Sequence, residues 1–196
     1  AERLGPLLRP DAPAAVRHAA RGALAATPAC GQGAGATPKR FPSPERQRMR
    51  EGMSAIPRLS PAEAQEKLSA GYTYVDVRTE EEFAAGHPAG AYNVPFLVSA
   101  SGSMAPNPDF LAVMKAVFPK DQKLVLGCRS GGRSLRAAEA LVAEGYSAVV
   151  DQRAGWDGAR DAFGAVTEPG WSRVGLPTEP GDGGERGYGS LSRKAR

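Results

Sequence analysis

The run Leu124-Val125-Leu126-Gly127-Cys128-Arg129-Ser130-Gly131-Gly132-Arg133-Ser134 decides how this chain folds. Lys123 to Gly127 is short and has no polar alternation, the pattern of a central strand buried on both faces. Cys128 closes it. A cationic, glycine-containing loop then leads into a helix from about Arg133 to Glu144, with Leu135, Ala138, Leu141 and Val142 on its inner face and Gly145 as its stop. A thiol so placed is either a buried, inert side chain, as free cysteines commonly are, or a reactive thiolate. The surroundings favour the second, because a thiolate needs positive potential. Arg129 and Arg133 bring full charges, Gly131 and Gly132 let the backbone turn its N–H groups toward an anion, and the helix adds its positive dipole end.

Outward from this stretch, strands and helices alternate. Ser60-Pro61-Ala62-Glu63 is a capping box with proline at the first helical position, and the helix it opens stops at Gly71. Tyr72 to Val77 reads as a strand, and Thr79-Glu80-Glu81-Glu82 caps a short helix running to Gly86. Ala91 to Val94 gives a brief strand. After the Pro/Ser/Gly stretch around 99–108, a helix carries Phe110, Val113, Met114 and Val117 on one face. Ser147 to Val150 is predicted as another strand and Gly155 to Phe163 as a last helix. The fold expected is α/β, an open, mostly parallel five-stranded sheet flanked by helices, with ligands bound beyond the carboxyl ends of the strands. Cys128 stands at such an end.

The net charge of +4 is uneven: +5 over residues 1–53, −3 over 54–180 and +2 over 181–196. The basic balance therefore belongs to the ends, and the mildly acidic middle speaks against a nucleic-acid partner. No stretch approaches the about 18 consecutive apolar residues of a membrane helix, so no membrane span is expected. Residues 1–53 are read as disordered and as an organellar transit segment, since Ala12 to Pro44 contains arginines but no acid; an ordinary disordered extension is the other reading. Residues 54–180 form the folded domain, and 181–196 read as a flexible glycine-rich basic tail. With only Cys30 and Cys128 there is neither a disulfide framework nor a thiolate zinc site, and disulfide chemistry in the folded region needs an outside partner.

Several separated segments together resemble the rhodanese family of sulfurtransferases, in particular its small single-domain members from bacteria and plant organelles. These are Tyr74-Val75-Asp76-Val77-Arg78, Glu82-Phe83, Gly86-His87, Gly90-Ala91-Tyr92-Asn93-Val94-Pro95, the loop Cys128 to Arg133 with Ser134, Gly155-Trp156 and Gly175-Leu176-Pro177, covering about residues 58–177. The resemblance implies that Cys128 is the catalytic residue. It would take a sulfane sulfur from a small anionic donor such as thiosulfate, form a persulfide, and pass the sulfur to cyanide or a thiol, with a thioredoxin-like reductant as a further partner. It places Arg129, Ser130, Gly131, Gly132, Arg133 and Ser134 around the substrate and calls for no metal or other cofactor. Plant relatives point to the chloroplast stroma ahead of the mitochondrion. Asp76, Arg78 and His87 are read as structural, because sulfur transfer from an ionised thiol needs no general base. Two departures stand out: Gly86-His87-Pro88-Ala89-Gly90 interchanges the usual proline and alanine, and a single glycine precedes Trp156.

Two other functions compete. Phosphatases and arsenate reductases of a related fold carry a loop one residue longer, which cradles a tetrahedral oxyanion, whereas the six residues from Cys128 to Arg133 suit a single extra sulfur. Rhodanese-like domains also act as binding or sulfur-relay modules, most evidently where the cysteine is lost.

Overall fold

The computed structural model describes residues 56–100 and 102–196, which fall within one compact unit. The transit segment expected at 1–53 and Cys30 lie outside the described residues.

A short strand β1 (Arg58–Leu59) precedes α1 (Pro61–Ser69), which the Ser60–Glu63 capping box starts as expected. Strand β2 (Thr73–Asp76) leads into α2 (Glu80–Ala84), capped reciprocally by Thr79 and Glu82. Short strands β3 (His87–Pro88) and β4 (Tyr92–Asn93) follow, then β5 (Leu97–Ala100), β6 (Ser103–Pro106) and α3 (Phe110–Val117). Strand β7 (Leu124–Gly127) and α4 (Gly132–Ala143) flank the Cys128 loop. The chain continues through β8 (Val149–Gln152), β9 (Gly158–Arg160), β10 (Val166–Pro169) and β11 (Thr178–Glu179) to α5 (Tyr188–Lys194).

The main sheet has the order β1-β8-β7-β2-β4, and its four pairings are all parallel. Strand β7 is central and wholly buried, as its unbroken apolar sequence requires. Side chains alternate across the sheet. Val75, Leu124 and Leu126 join Phe110, Val113, Met114, Ala138, Leu141 and Leu191 in one core. Tyr74, Val125 and Val150 join Ala64, Phe83 and Trp171 in the other. With helices on both faces, the carboxyl edge is left open, and Cys128 emerges there.

Four sequence expectations need correction. The helix expected from Gly155 to Phe163 is instead a turn followed by the antiparallel hairpin β9–β10. Gly155 has φ +66°, outside helical geometry, and Asp161 Oδ1 accepts from the N–H groups of Phe163 and Ala165 at 2.9 Å each, a local turn that outcompetes the helix. The strand placed at Ser147–Val150 lies two residues later, so that Asp151 and Gln152 are buried in the sheet. The stretch around 99–108 contains the β5–β6 hairpin.

The fourth correction concerns the end of the chain. The glycine-rich segment read as a flexible tail over 181–196 forms a 3-10 turn at Gly184–Arg186 and then α5, and it belongs to the same unit as the rest. Two of its glycines serve close packing: a Cβ at Gly183 would stand 2.9 Å from the Phe83 ring, and one at Gly187 would overlap the carbonyl oxygen of Asp182. Leu191 is fully buried, and Tyr188 and Asn107 exchange side-chain hydrogen bonds. Leu191→Ala is therefore expected to cost about 2–5 kcal/mol, read as a lowered urea midpoint. A flexible tail would show no change.

Candidate active site

Strand β7 delivers Cys128 to the carboxyl edge of the sheet, where it is 2 % exposed. The loop closes over it at once. Gly131 takes φ +83°, a left-handed conformation that favours glycine, and this aims its N–H at Cys128 Sγ over 3.1 Å. Ser134, fully buried in the first turn of α4, directs its hydroxyl to the same sulfur at 3.4 Å. A sulfur anion here thus has two donors and the amino-terminal end of a 12-residue helix. This is the setting expected of a reactive thiolate, and Cys128 is the free cysteine among the described residues.

The turn after β8 braces the loop from outside. Trp156 N–H donates to Cys128 O at 2.8 Å and Asp157 N–H to Arg129 O at 2.9 Å. Gly155 is required by close approach, since a Cβ there would lie 2.5 Å from the backbone of Arg129 and Ser130. Behind Trp156, the Arg78 guanidinium stacks on its ring at 4.7 Å. Arg78 also grips both carboxylate oxygens of Asp76 and donates to Gly86 O at 2.6 Å. Asp76 and Arg78 are buried supports, as the sequence reading has them. His87 is buried too, stacked on Phe83 with its ring nitrogens on Phe83 O and Glu179 Oε1.

The two loop arginines differ from the sequence picture of free positive charge. Arg133 forms a two-pronged pair with Glu82, at 2.7 and 2.8 Å, and Arg129 pairs with Asp157 at 2.6 Å while its side chain stays 65 % exposed. Glu82 is fixed in turn by the Thr79 cap. A cavity of about 620 Å³ opens here, walled by Arg129, Arg133, Glu82 and Thr79 on one side and by Leu97 and Met104 of the β5–β6 hairpin on the other. Of the residues expected around substrate, Gly131 and Ser134 touch the sulfur, Arg129 and Arg133 line the cavity, and Ser130 and Gly132 stand exposed. Glu82 is legible in the sequence as a helix cap and within the Glu82-Phe83 segment of the resemblance, but not as the partner of Arg133. Its second role lies 51 residues away in sequence, and Arg58 and Asp157 carried no local signal at all.

Burial pushes the Glu82 carboxyl up, but the Arg133 guanidinium and the Thr79 amide outweigh it and leave the group below its ordinary range. Since the folded value is the lower one, the stabilisation is complete above about pH 4.3 and is lost as pH falls through the folded value. Glu82→Gln should flatten the acid limb of a plot of urea midpoint against pH. An unchanged limb would show that the pair contributes nothing to folding.

Comparison with known proteins adds the following. The family model for the rhodanese-like domain matches residues 60–162. The chain is 39 % identical over 116 residues to "Thiosulfate sulfurtransferase 16, chloroplastic" of Arabidopsis thaliana, a match covering 59 % of this chain and 87 % of that protein. It is 40 % identical over 102 residues to "Protein HIGH ARSENIC CONTENT 1, mitochondrial" of the same plant, covering 52 % of this chain and 60 % of the relative, so the chain spans under two thirds of that protein. Among solved structures, that of Rv0390 from M. tuberculosis superposes with a TM-score of 0.54 at 31 % identity, over 65 % of this chain and all of the other.

Proposed function

The chain belongs to the rhodanese-like domain family, and from that premise we propose that it is a sulfurtransferase using thiosulfate or a similar anion as donor and a thiol or cyanide as acceptor. The observation that carries this reading is the sulfur of Cys128 held between the Gly131 N–H and the Ser134 hydroxyl at the start of α4. The thiolate attacks the outer sulfur of thiosulfate, the S–S bond to the sulfonate group breaks, and sulfite leaves with the bonding electron pair. The terminal sulfur of the persulfide then bonds to the acceptor as the Cys128 thiolate is released. Splitting the transfer through a covalent intermediate gives ping-pong kinetics. The Gly131 N–H and the helix end stabilise charge on the sulfur in both stages.

Arg133 and Arg129 meet the anionic donor in the cavity. To do so each exchanges its carboxylate partner, Glu82 or Asp157, for the sulfonate oxygens. A cavity of about 620 Å³ exceeds what thiosulfate fills and leaves room for a thiol acceptor carrying further groups. The chloroplastic and mitochondrial relatives support an organellar site of action, with the chloroplast as the proposal.

The test is the intact mass of the protein after incubation with donor alone. A gain of about 32 Da, one sulfur, removed again by cyanide or a thiol, is the expected result. Arsenate reduction is the competing activity, favoured by the resemblance to a protein named for arsenic content and opposed by the six-residue span of the loop. No mass gain with thiosulfate or mercaptopyruvate, together with arsenate turnover, would overturn the sulfurtransferase reading.

A further inference from the structure

One buried group beside the nucleophile has no part in the reaction above. Asp151 on β8 is fully buried, and its register partner on β7 is Leu126, two residues before Cys128. Its Oδ2 accepts from Arg58 Nε at 2.7 Å, and the same guanidinium donates to Gly131 O at 3.2 Å. Its Oδ1 has no hydrogen-bond partner among the described residues. An orphaned carboxylate oxygen at full burial is costly unless another state of the site uses it. The neighbour that can use it is Ser134 of α4, the helix packed against β8, whose hydroxyl points to Cys128 Sγ at 3.4 Å. Burial pushes the Asp151 carboxyl up, opposed by the adjacent Ser134 hydroxyl and by Arg58.

A serine hydroxyl has one proton to give and lone pairs to receive another. Placed between a thiol and a carboxylate, it can accept from one while donating to the other. Resting on the reading of Cys128 as nucleophile, we infer that Asp151 is the internal acceptor of the Cys128 proton, reached through Ser134. The S–H bond breaks and leaves its electron pair on sulfur, its proton bonds to Ser134 Oγ, and the proton first held by Ser134 bonds to Asp151 Oδ1. The combined charge of Cys128, Asp151 and Arg58 stays at zero throughout. A thiolate formed beside an ionised Asp151 would instead set two anions together in a buried place.

The other charged and titratable groups facing this pair are Tyr74 and Asp76 on β2, Arg78 beyond it, and Arg133 on α4. None takes the thiol proton. The arginines are already cations, both oxygens of Asp76 are held by Arg78, and the buried Tyr74 phenol keeps its own proton.

The experiment follows the rate of Cys128 alkylation by iodoacetamide against pH, with no sulfur donor present, for the full chain and for Asp151→Asn, Ser134→Ala and the double variant. Asp151→Asn keeps the shape and an acceptor for Arg58 but cannot take the proton. It is expected to slow alkylation at neutral pH by about tenfold and to move the profile about one unit to the alkaline side. If Asp151 were only a nearby negative charge, its loss would speed alkylation and move the profile the other way, and that result overturns the inference, as does no change. Ser134→Ala leaves the Arg58–Asp151 pair intact, so it remains informative if Asp151→Asn fails to fold; unchanged alkylation there also overturns it. In the double variant Asp151→Asn should add nothing to Ser134→Ala, whereas additive effects would show that Asp151 acts without the serine. Because no donor is present, these results stand whether or not the persulfide forms.

Discussion

Cys128→Ser should leave a folded protein that gains no sulfur from thiosulfate and whose transfer rate falls by roughly 10⁴-fold or more, the scale on which covalent catalysis depends on its nucleophile. The substitution is small, and the new hydroxyl can still accept from Gly131 N–H at the carboxyl end of β7. What disappears is chemistry. An alcohol at neutral pH supplies almost no anion, and among the described residues no histidine is free to deprotonate one, since His87 is committed to Phe83 O and Glu179. The check is intact mass with donor alone beside steady-state thiocyanate formation from thiosulfate and cyanide. Substantial turnover in the serine variant would mean that Cys128 is not the sulfur carrier and would return the domain to a binding role.

Gly131→Ala comes next in expected effect, and it acts on fold and site together. The residue sits at φ +83°, and a Cβ there would overlap the carbonyl oxygen of Arg153. Holding a non-glycine residue in that conformation costs about 1–3 kcal/mol, and the overlap with rigid backbone adds to it. Relief requires the loop to shift, and any shift turns the Gly131 N–H away from Cys128 Sγ. Loss of such a preorganised donor should lower kcat by roughly 10²-fold. The measurements are the urea midpoint and kcat for thiosulfate, and a variant with wild-type values in both would show that the N–H is not needed. Gly132→Ala is the matched control, since a Cβ there meets nothing within 4 Å among the described residues.

Much of this could be read from residues close together in sequence. The apolar run Leu124 to Leu126, the Cys128 loop and the following helix gave strand, turn and helix in order. The boxes at Ser60 and Thr79 gave two helix starts, both present with their reciprocal bonds. Local pattern misled where two local rules competed. Gly155 to Phe163 holds enough apolar residues for a helix, but the Asp161 side chain bonds its own backbone and wins. At the carboxyl end, glycine content predicts looseness, whereas Gly183 lets the chain pass close to Phe83.

Sequence by itself determined the family, the candidate nucleophile and the loop that turns an N–H toward it, because those depend on residue types within a few positions of one another. The charge state of the site was decided by tertiary structure alone. Arg133 meets Glu82 from 51 residues away, and Arg58 meets Asp151 from 93. The strand order β1-β8-β7 sets Arg58 opposite Asp151, one strand from the one that carries Cys128. Backbone preferences reach only about four residues along a helix, whereas electrostatics acts through space and depends on which strands the sheet makes neighbours. The pattern of residues therefore announced a cationic loop, and the fold supplied the carboxylates that balance it.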